Sequence, residues 1–277
     1  MDSVGATAHQ EVPTIPRGRL ENLFDVGPVL IEAGQARASM PTGPWLRGPD
    51  GRPSAAGLGV LVDDVLGQAA LINRWPGLWS VTTELAVDVA APLPFDGQVV
   101  NATASPVLID DGGALTRAEV RDAADGCLAV ATTWARFMPG IPAEILDPPQ
   151  LGAVAARGEN LADLLQVQFP DTGRLDLPDR PDLGNPQGVI HGGALFSLAV
   201  MSAERLLAGA GLQVASARVV YLRPAAGSVR FEPVAVHGGR SLGLVHVNVT
   251  NAVGALCTAA TVTVRSATGP AAGRRPG

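Results

Sequence analysis

The sequence predicts an α+β protein made of two similar halves, each with one long apolar helix followed by antiparallel strands. Two proline-free segments, Ser54–Ile72 and Ile190–Leu207, have the length and apolar content of buried helices, and each follows a glycine-bearing turn. Alternating runs rich in β-branched residues come after each helix, as in strands with one buried face. A proline-rich stretch, residues 138–158, separates the two copies.

The strand-like runs follow the helices in the same order in both halves. In the first half they begin at Ser80, Gly97 and Leu115, and a turn at Asp125-Gly126 divides the third run. In the second half they begin at Val214, Ser228, Leu242 and Gly254. This internal repeat predicts two structural units, at 19–140 and 159–266, joined by a linker at 141–158. Residues 1–18 and 267–277 are rich in small residues, Pro and Gly, and are expected to be disordered.

Composition excludes several classes of protein. The net charge is −6, and all 20 basic residues are arginine, so no global basic surface for nucleic acid is expected. Cys127 and Cys257 form no CxxC pair and are interpreted as buried, reduced thiols rather than metal ligands. The N-terminus lacks an apolar signal-peptide core, so we expect a cytoplasmic location and no membrane partner.

One motif singles out the start of the second helix. Asn185 stands six residues before His191, which is followed by Gly192 and Gly193 and then by the apolar helix. The element order and this motif resemble the hotdog-fold acyl-CoA thioesterases of the phenylacetate-pathway (PaaI-like) type, in the 4-hydroxybenzoyl-CoA thioesterase superfamily. The resemblance covers most of residues 25–265 and implies a tandem, or double, hotdog. It implies two antiparallel sheets, each wrapped around a long central helix and paired in pseudo-twofold fashion.

The family pattern also places an acid nine residues after the histidine, and the acid and turn that act together come from opposite subunits. In the second half, Val200 stands at the acid position. Setting Gly57 against Gly193 puts Ala55 at the histidine position of the first half and Asp64 at its acid position. The losses are complementary, which predicts one composite site in which Asp64 faces the second-half turn.

The chemistry of thioester hydrolysis gives each residue an expected role. The reaction passes through an oxyanion, and free N–H groups at a helix N-terminus stabilise such a charge. We expect the Gly192 N–H as the main donor, with Gly193 in support. Asp64 is expected to act as general base on water or to attack the thioester and form an anhydride. Asn185 would orient water or the carbonyl, and His191 would fix the turn or bind substrate.

Other readings of these residues remain open at this point. Asp64 could be a solvated helix residue, and Asp63 is the reserve candidate for the acid, pointing about 100° away on the helix. Glu204 is a rival acid that we expect near an exposed helix end, paired with an arginine. Thr83 is a candidate for a hydroxyl that helps the acid hold water.

The predicted substrate is an acyl-CoA or acyl carrier protein thioester, hydrolysed without a metal or organic cofactor. One alternative is a non-catalytic acyl-CoA-binding hotdog protein. Another is an enoyl-CoA hydratase using Asp182, Asn185 and His191, although their spacing departs from that of the hydratase loop. One chain already supplies the paired unit, so a homodimer of double hotdogs is the expected assembly.

Overall fold

The computed structural model describes residues 18–72, 74, 77–140, 157–170 and 172–266. Four α-helices occur in these ranges: α1 (Arg19–Phe24), α2 (Gly59–Ile72), α3 (Leu161–Leu164) and α4 (Gly192–Leu206). The strands of the first half are β1 (Leu30–Glu32), β2 (Gln35–Pro41), β3 (Leu78–Val89), β4 (Val99–Asp110), β5 (Gly113–Arg121) and β6 (Cys127–Pro139). Those of the second half are β7 (Leu175–Leu177), β8 (Leu212–Tyr221), β9 (Val229–Gly238), β10 (Leu242–Asn251) and β11 (Leu256–Ser266).

The strands form one continuous antiparallel sheet in the order β1-β2-β4-β5-β6-β3-β8-β11-β10-β9-β7. The two sheets expected from the resemblance are therefore joined edge to edge into one. The two halves join where Glu84–Asp88 of β3 pairs with Ser216–Val220 of β8. Because each half would otherwise expose the backbone of an inner strand at this edge, pairing the two edges satisfies both sets of hydrogen-bonding groups.

The long helices α2 and α4 pack against the sheet and against each other. Both are apolar on most of their circumference, which is the pattern of a helix buried on nearly all sides. The segment Ala55–Ile72 has a mean hydropathy of 1.5 over 18 residues, enough by length and composition for a membrane span, but 78% of it is buried inside the fold. We therefore assign it to the protein core.

The helices meet at their N-terminal ends through two glycines. A Cβ atom on Gly193 would lie 2.6 Å from the carbonyl oxygen of Gly59, and a Cβ atom on Gly59 would lie 2.6 Å from that of Gly193. Both positions therefore require glycine for backbone contact rather than for an unusual φ. This contact brings the first turn of α4 beside the first turn of α2.

A short N-terminal helix completes this part of the core. Leu20 and Phe24 of α1 are fully buried, and the helix places the acidic Glu21 on the side facing α4. Residues 1–17, 141–156 and 267–277 lie outside the described residues. The predicted disorder of the termini and the predicted linker therefore stay predictions, as do the boundaries of the two units.

Candidate active site

The turn before α4 is held in place by its own side chains and by β8. His191 is the N-cap of α4, and its Nδ1 lies 3.0 Å from the backbone nitrogen of Gly193. The Tyr221 hydroxyl donates a hydrogen bond of 2.8 Å to the carbonyl oxygen of Gly192. The Gly192 N–H has no hydrogen-bond partner among the described residues, as is usual for a first helical turn. It remains available to a ligand.

A carboxylate from the first half faces this turn, and it belongs to Asp63. Its Oδ2 accepts a hydrogen bond of 2.8 Å from the Gly193 N–H, and its Oδ1 lies 3.3 Å from the Thr82 hydroxyl. The Asp63 side chain is only 10% exposed. A Cβ atom on Gly192 would lie 2.7 Å from Asp63 Oδ2, so glycine there leaves room for the carboxylate.

The acid that the described hydrogen bonds join to the turn is thus the reserve candidate, Asp63. The predicted register assumed that both helices begin at equivalent glycines, Gly57 and Gly193. In the structure a 3₁₀ turn occupies Ala55–Leu58, and α2 begins only at Gly59. Asp64 lies in the same neighbourhood, since its charge helps to raise the pKa of His191. Its predicted catalytic role stays a prediction.

Two carboxylates flank the imidazole of His191. Nε2 lies 3.2 Å from Glu21 Oε1, and Nδ1 lies 3.3 Å from Asp63 Oδ2. The His191 side chain is 12% exposed and that of Glu21 is 9% exposed. The three groups therefore form a nearly buried chain, Glu21–His191–Asp63, built from α1, α4 and α2.

The charges of the neighbouring acids determine the protonation state of His191. Burial lowers the pKa of His191, but the hydrogen bond and charge of Glu21, with the charges of Asp63 and Asp64, outweigh it and raise the pKa to about 9. His191 is therefore an imidazolium at neutral pH. In that state Nδ1 carries a proton and cannot accept the Gly193 N–H, which lies 3.0 Å away, so Asp63 Oδ2 is the acceptor left to both groups.

The pKa values of the two flanking acids are shifted in opposite directions. Burial raises the pKa of Glu21, but the hydrogen bond and charge of His191 reverse this and leave it lowered. Burial raises the pKa of Asp63, and the His191 charge, the Gly193 N–H and the Thr82 hydroxyl offset the rise only in part. Asp63 is thus a carboxylate of increased basicity, as a general base requires.

Thr82, and not the predicted Thr83, contacts the acid. The β3–β6 register shifts between Thr82 and Glu84, which leaves Thr83 in a bulge. The Thr83 hydroxyl donates to the carbonyl oxygen of Trp134 instead, at 2.9 Å. A bulge changes which side chains point to one face of a sheet, and alternation in the sequence did not reveal it.

Asn185 shapes the loop that precedes the turn. Its Oδ1 accepts hydrogen bonds from the backbone nitrogens of Gln187 at 2.9 Å and Val189 at 3.3 Å, and its Nδ2 donates to Gln187 Oε1 at 3.1 Å. The described contacts do not join Asn185 to Asp63 or His191, so its predicted role in orienting water or substrate stays a prediction. Asp182 is held by Arg180 through two hydrogen bonds of 2.7 and 2.6 Å.

Glu204 differs from its expected environment. It is partly buried, and both carboxylate oxygens lie within 2.9 Å of the Ser54 hydroxyl, with no arginine bonded to it in the described contacts. Burial raises its pKa to about 8, and the charge of Asp50 adds to the rise. Glu204 therefore bridges the two halves as a largely neutral acid at pH 7.

Sequence reasoning missed Glu21 and Tyr221, and of the neighbouring Thr82 and Thr83 it favoured Thr83. Glu21 lies in a six-residue helix whose pattern is too short to predict burial, and it is about 170 residues from its partner. Tyr221 is the one tyrosine in the chain and ends a predicted strand, which was a usable signal. Among the described residues, no group of three or more His, Cys, Asp or Glu side chains is arranged to hold a metal ion.

Comparison with known proteins agrees with this architecture. Residues 180–265 match the family model described as the acyl-CoA thioesterase N-terminal domain. No curated protein sequence matches the chain.

Solved structures resemble the chain over nearly their whole length. The tesB protein of Mycobacterium avium subspecies paratuberculosis has a TM-score of 0.61 at 12% identity, covering 89% of this chain and 97% of its own. A 12:0-ACP thioesterase from Umbellularia californica has a TM-score of 0.60 at 13% identity, with coverage of 84% and 94%. A conserved protein of unknown function with a hot dog fold from Alicyclobacillus acidocaldarius has a TM-score of 0.58 at 13% identity, with coverage of 90% and 99%. At these identities the likeness establishes the fold. Together with the family match over residues 180–265, this likeness confirms the resemblance to the hotdog-fold acyl-CoA thioesterases seen in the sequence.

Proposed function

We propose that this protein hydrolyses an acyl-CoA or acyl carrier protein thioester at a single composite site between its two halves. The observation that carries the proposal is the 2.8 Å hydrogen bond from the Gly193 N–H to Asp63, which brings a first-half acid to a second-half helix N-terminus. A basic carboxylate beside a free backbone N–H is the pair that acyl transfer to water requires. The names of the similar structures support the same class of substrate.

In the proposed mechanism, Asp63 is the general base. Its Oδ2 is engaged by Gly193 and His191, whereas Oδ1 shares only the Thr82 hydroxyl. A water held between Oδ1 and Thr82 would lose its proton to Asp63 as it attacks the thioester carbonyl. The free Gly192 N–H, at the positive end of α4, would stabilise the resulting oxyanion. Collapse of this intermediate would break the C–S bond, release the carboxylic acid product, and return the proton from Asp63 to the leaving thiolate. Direct attack by Asp63 to form an anhydride uses the same groups, but the occupied Oδ2 favours the water route.

A second candidate is binding of an acyl thioester without turnover. It is favoured by the low exposure of the site, since Asp63, His191 and Glu21 are each about a tenth exposed. The hydratase alternative is less well supported, because Asp182 is engaged by Arg180.

Two neighbouring isosteric substitutions test the proposal. Asp63→Asn should lower kcat for a set of acyl-CoAs by about 10²–10⁴-fold, because the amide cannot accept a proton. Asp64→Asn, which removes the adjacent charge, should change kcat much less. Release of free CoA thiol is the measurement, over a series of acyl-chain lengths.

The reverse result, with loss of turnover only in Asp64→Asn, would restore the acid predicted from sequence and reject this assignment. Tight acyl-CoA binding by the wild-type chain without thiol release would favour the binding protein.

The proposal extends to the architecture around the site. We propose that 19–140 and 159–266 are two hotdog units related by a pseudo-twofold axis, which the mirrored strand order on either side of the β3–β8 pair supports. We further propose a homodimer of this unit in the cytoplasm. Exposed apolar side chains on the sheet support an assembly: Val107, Leu108, Trp134, Val234 and Val236 are 44–59% exposed.

A further inference from the structure

We propose that Glu21 is a positioning residue: it holds His191 protonated, so that the imidazolium keeps Asp63 oriented toward the turn and ionised. The inference rests on the proposed function, because it concerns the base of that reaction. It assigns a role to the N-terminal helix α1, which the composite site otherwise does not require.

The first support is the geometry of α1. The helix is anchored by Leu20 and Phe24, both fully buried, and by an ion pair of 2.8 Å between Asp25 and Arg157. Between these anchors, Glu21 is 7% exposed and reaches His191 Nε2 at 3.2 Å. Placing a carboxylate in such a position is costly unless it is paired, and the charged partner here is the His191 imidazole, with backbone hydrogen bonds from Gly18 and Glu21 in addition.

The second support is the contact on the opposite side of the His191 ring. Nδ1 lies 3.3 Å from Asp63 Oδ2, the oxygen that also accepts the Gly193 N–H. A neutral imidazole with its proton on Nε2 could accept the Gly193 N–H, 3.0 Å from Nδ1, but its lone pair would also face the Asp63 carboxylate at 3.3 Å, which is repulsive. A protonated ring instead donates to Glu21 through Nε2–H and to Asp63 through Nδ1–H.

The charged and titratable groups around His191 favour the protonated ring. Glu21 faces it from α1, and Asp63 and Asp64 act on it from α2. From β8, the Tyr221 hydroxyl binds the Gly192 carbonyl, and burial together with Asp63 raises the pKa of this phenol well above its ordinary value. Tyr221 is therefore neutral, and the three acids decide the charge of the ring.

The consequence for the reaction follows from charge. Asp63 is nearly buried, and burial alone would favour its protonated form. An imidazolium at 3.3 Å opposes this effect and keeps the base able to accept a proton. Without Glu21, His191 would lose its proton at lower pH, and Asp63 would lose the cation that keeps it ionised.

Titration of the imidazole tests the inference without a substrate. The chain has four histidines, so the His191 ring nitrogens can be assigned in ¹H–¹⁵N spectra of the full-length labelled protein by their loss in His191→Gln. In Glu21→Gln, the pKa of His191 should fall by at least about one unit from its wild-type value of about 9, because a charged acceptor is replaced by a neutral one of the same shape. The basic limb of the kcat–pH profile should move down by the same amount.

Two variants control for the fold. Glu21→Asp retains the charge, so the pKa of His191 should remain partly raised in this variant. Asp25→Asn removes the acid at the C-cap of α1, the one paired with Arg157, and should leave the pKa of His191 unchanged. Urea unfolding of each variant separates loss of structure from loss of charge.

An unchanged pKa of His191 in Glu21→Gln overturns the inference, whatever the turnover. A shifted pKa with an unmoved kcat–pH profile overturns the positioning role. Absence of thioester turnover in the wild-type chain would instead count against the proposed function, since the imidazole titration requires no substrate.

Discussion

At the scale of single residues, the two glycines of the turn have different tasks. A Cβ atom on Gly193 would lie 2.6 Å from the Gly59 carbonyl oxygen and 2.7 Å from Val60 Cα, both backbone atoms of a packed helix. A Cβ atom on Gly192 would meet only the Asp63 side chain. The sequence analysis assigned both glycines to oxyanion stabilisation, with Gly192 as the main donor and Gly193 in support, and did not predict the packing role of Gly193.

This difference predicts unequal effects of the two alanine substitutions. Gly193→Ala should lower the free energy of unfolding by about 1–3 kcal/mol, because the α2–α4 contact must open. Gly192→Ala should leave stability nearly unchanged but lower kcat, because it displaces the carboxylate. Urea unfolding and thiol release measure the two quantities. Equal destabilisation by both substitutions would contradict the prediction.

The acid that faces the α4 turn shows how precisely a sequence motif can locate a residue. The pattern correctly directed attention to the start of α2 as the partner of the α4 turn, which the Asp63–Gly193 contact now joins. It did not fix the residue, because a 3₁₀ turn of four residues precedes α2 and changes the register. Because the two aspartates are adjacent, one position separates Asp63, which contacts the turn, from Asp64, whose catalytic role stays a prediction.

At the scale of secondary-structure elements, the bulge in β3 decides which hydroxyl reaches the site. Thr82 pairs with Ala135, and the next paired residue is Glu84 with Trp134. The helices and the alternating strands were readable from the sequence because their periodicity reflects burial. The bulge and the short helix α1 were not, because each depends on contacts with distant parts of the chain.

The bulge predicts a clear contrast between adjacent threonines. Thr82→Val should lower kcat by about tenfold, because it removes one hydrogen bond to Asp63 worth roughly 1.4 kcal/mol. Thr83→Val, which alters an exposed hydroxyl bonded to Trp134, should change kcat little. If Thr83→Val has the larger effect, the catalytic acid is served by a different register of β3 from the one described.

At the scale of the whole molecule, the halves share one sheet and one core, and a buried acid links them. Glu204 of α4 accepts a hydrogen bond from Ser54 before α2. Its pKa is about 8 in the folded protein against an ordinary 4.5. Between these values the folded chain binds a proton that the unfolded chain has lost, so the contribution of Glu204 to stability falls as the pH rises.

Glu204→Gln should therefore change the pH dependence of stability. Below pH 4.5 the variant and wild type should be similar, because the acid is protonated in both states of the wild type. Above pH 8 the variant should be more stable by about 1–3 kcal/mol, since it buries no charge. Chemical denaturation across this range measures the difference, and a constant difference at all pH values would contradict it.

The repeat in the sequence predicted two units, but not how they would join. Pairing of β3 with β8 depends on edge strands about 130 residues apart, and no local pattern encodes that partnership. The alternative of two separate sheets has the same periodicity, and only the contact between edges distinguishes them.

Joining the two halves in one chain through the β3–β8 pair also affects how the residues of the site can be substituted. In a pair of identical subunits, any substitution enters both copies of the interface at once. Here α2 and α4 have different sequences in one chain, so one helix of the site can be altered while the other keeps its sequence. A designer could therefore retune the acids of the first half and the amide turn of the second as independent variables.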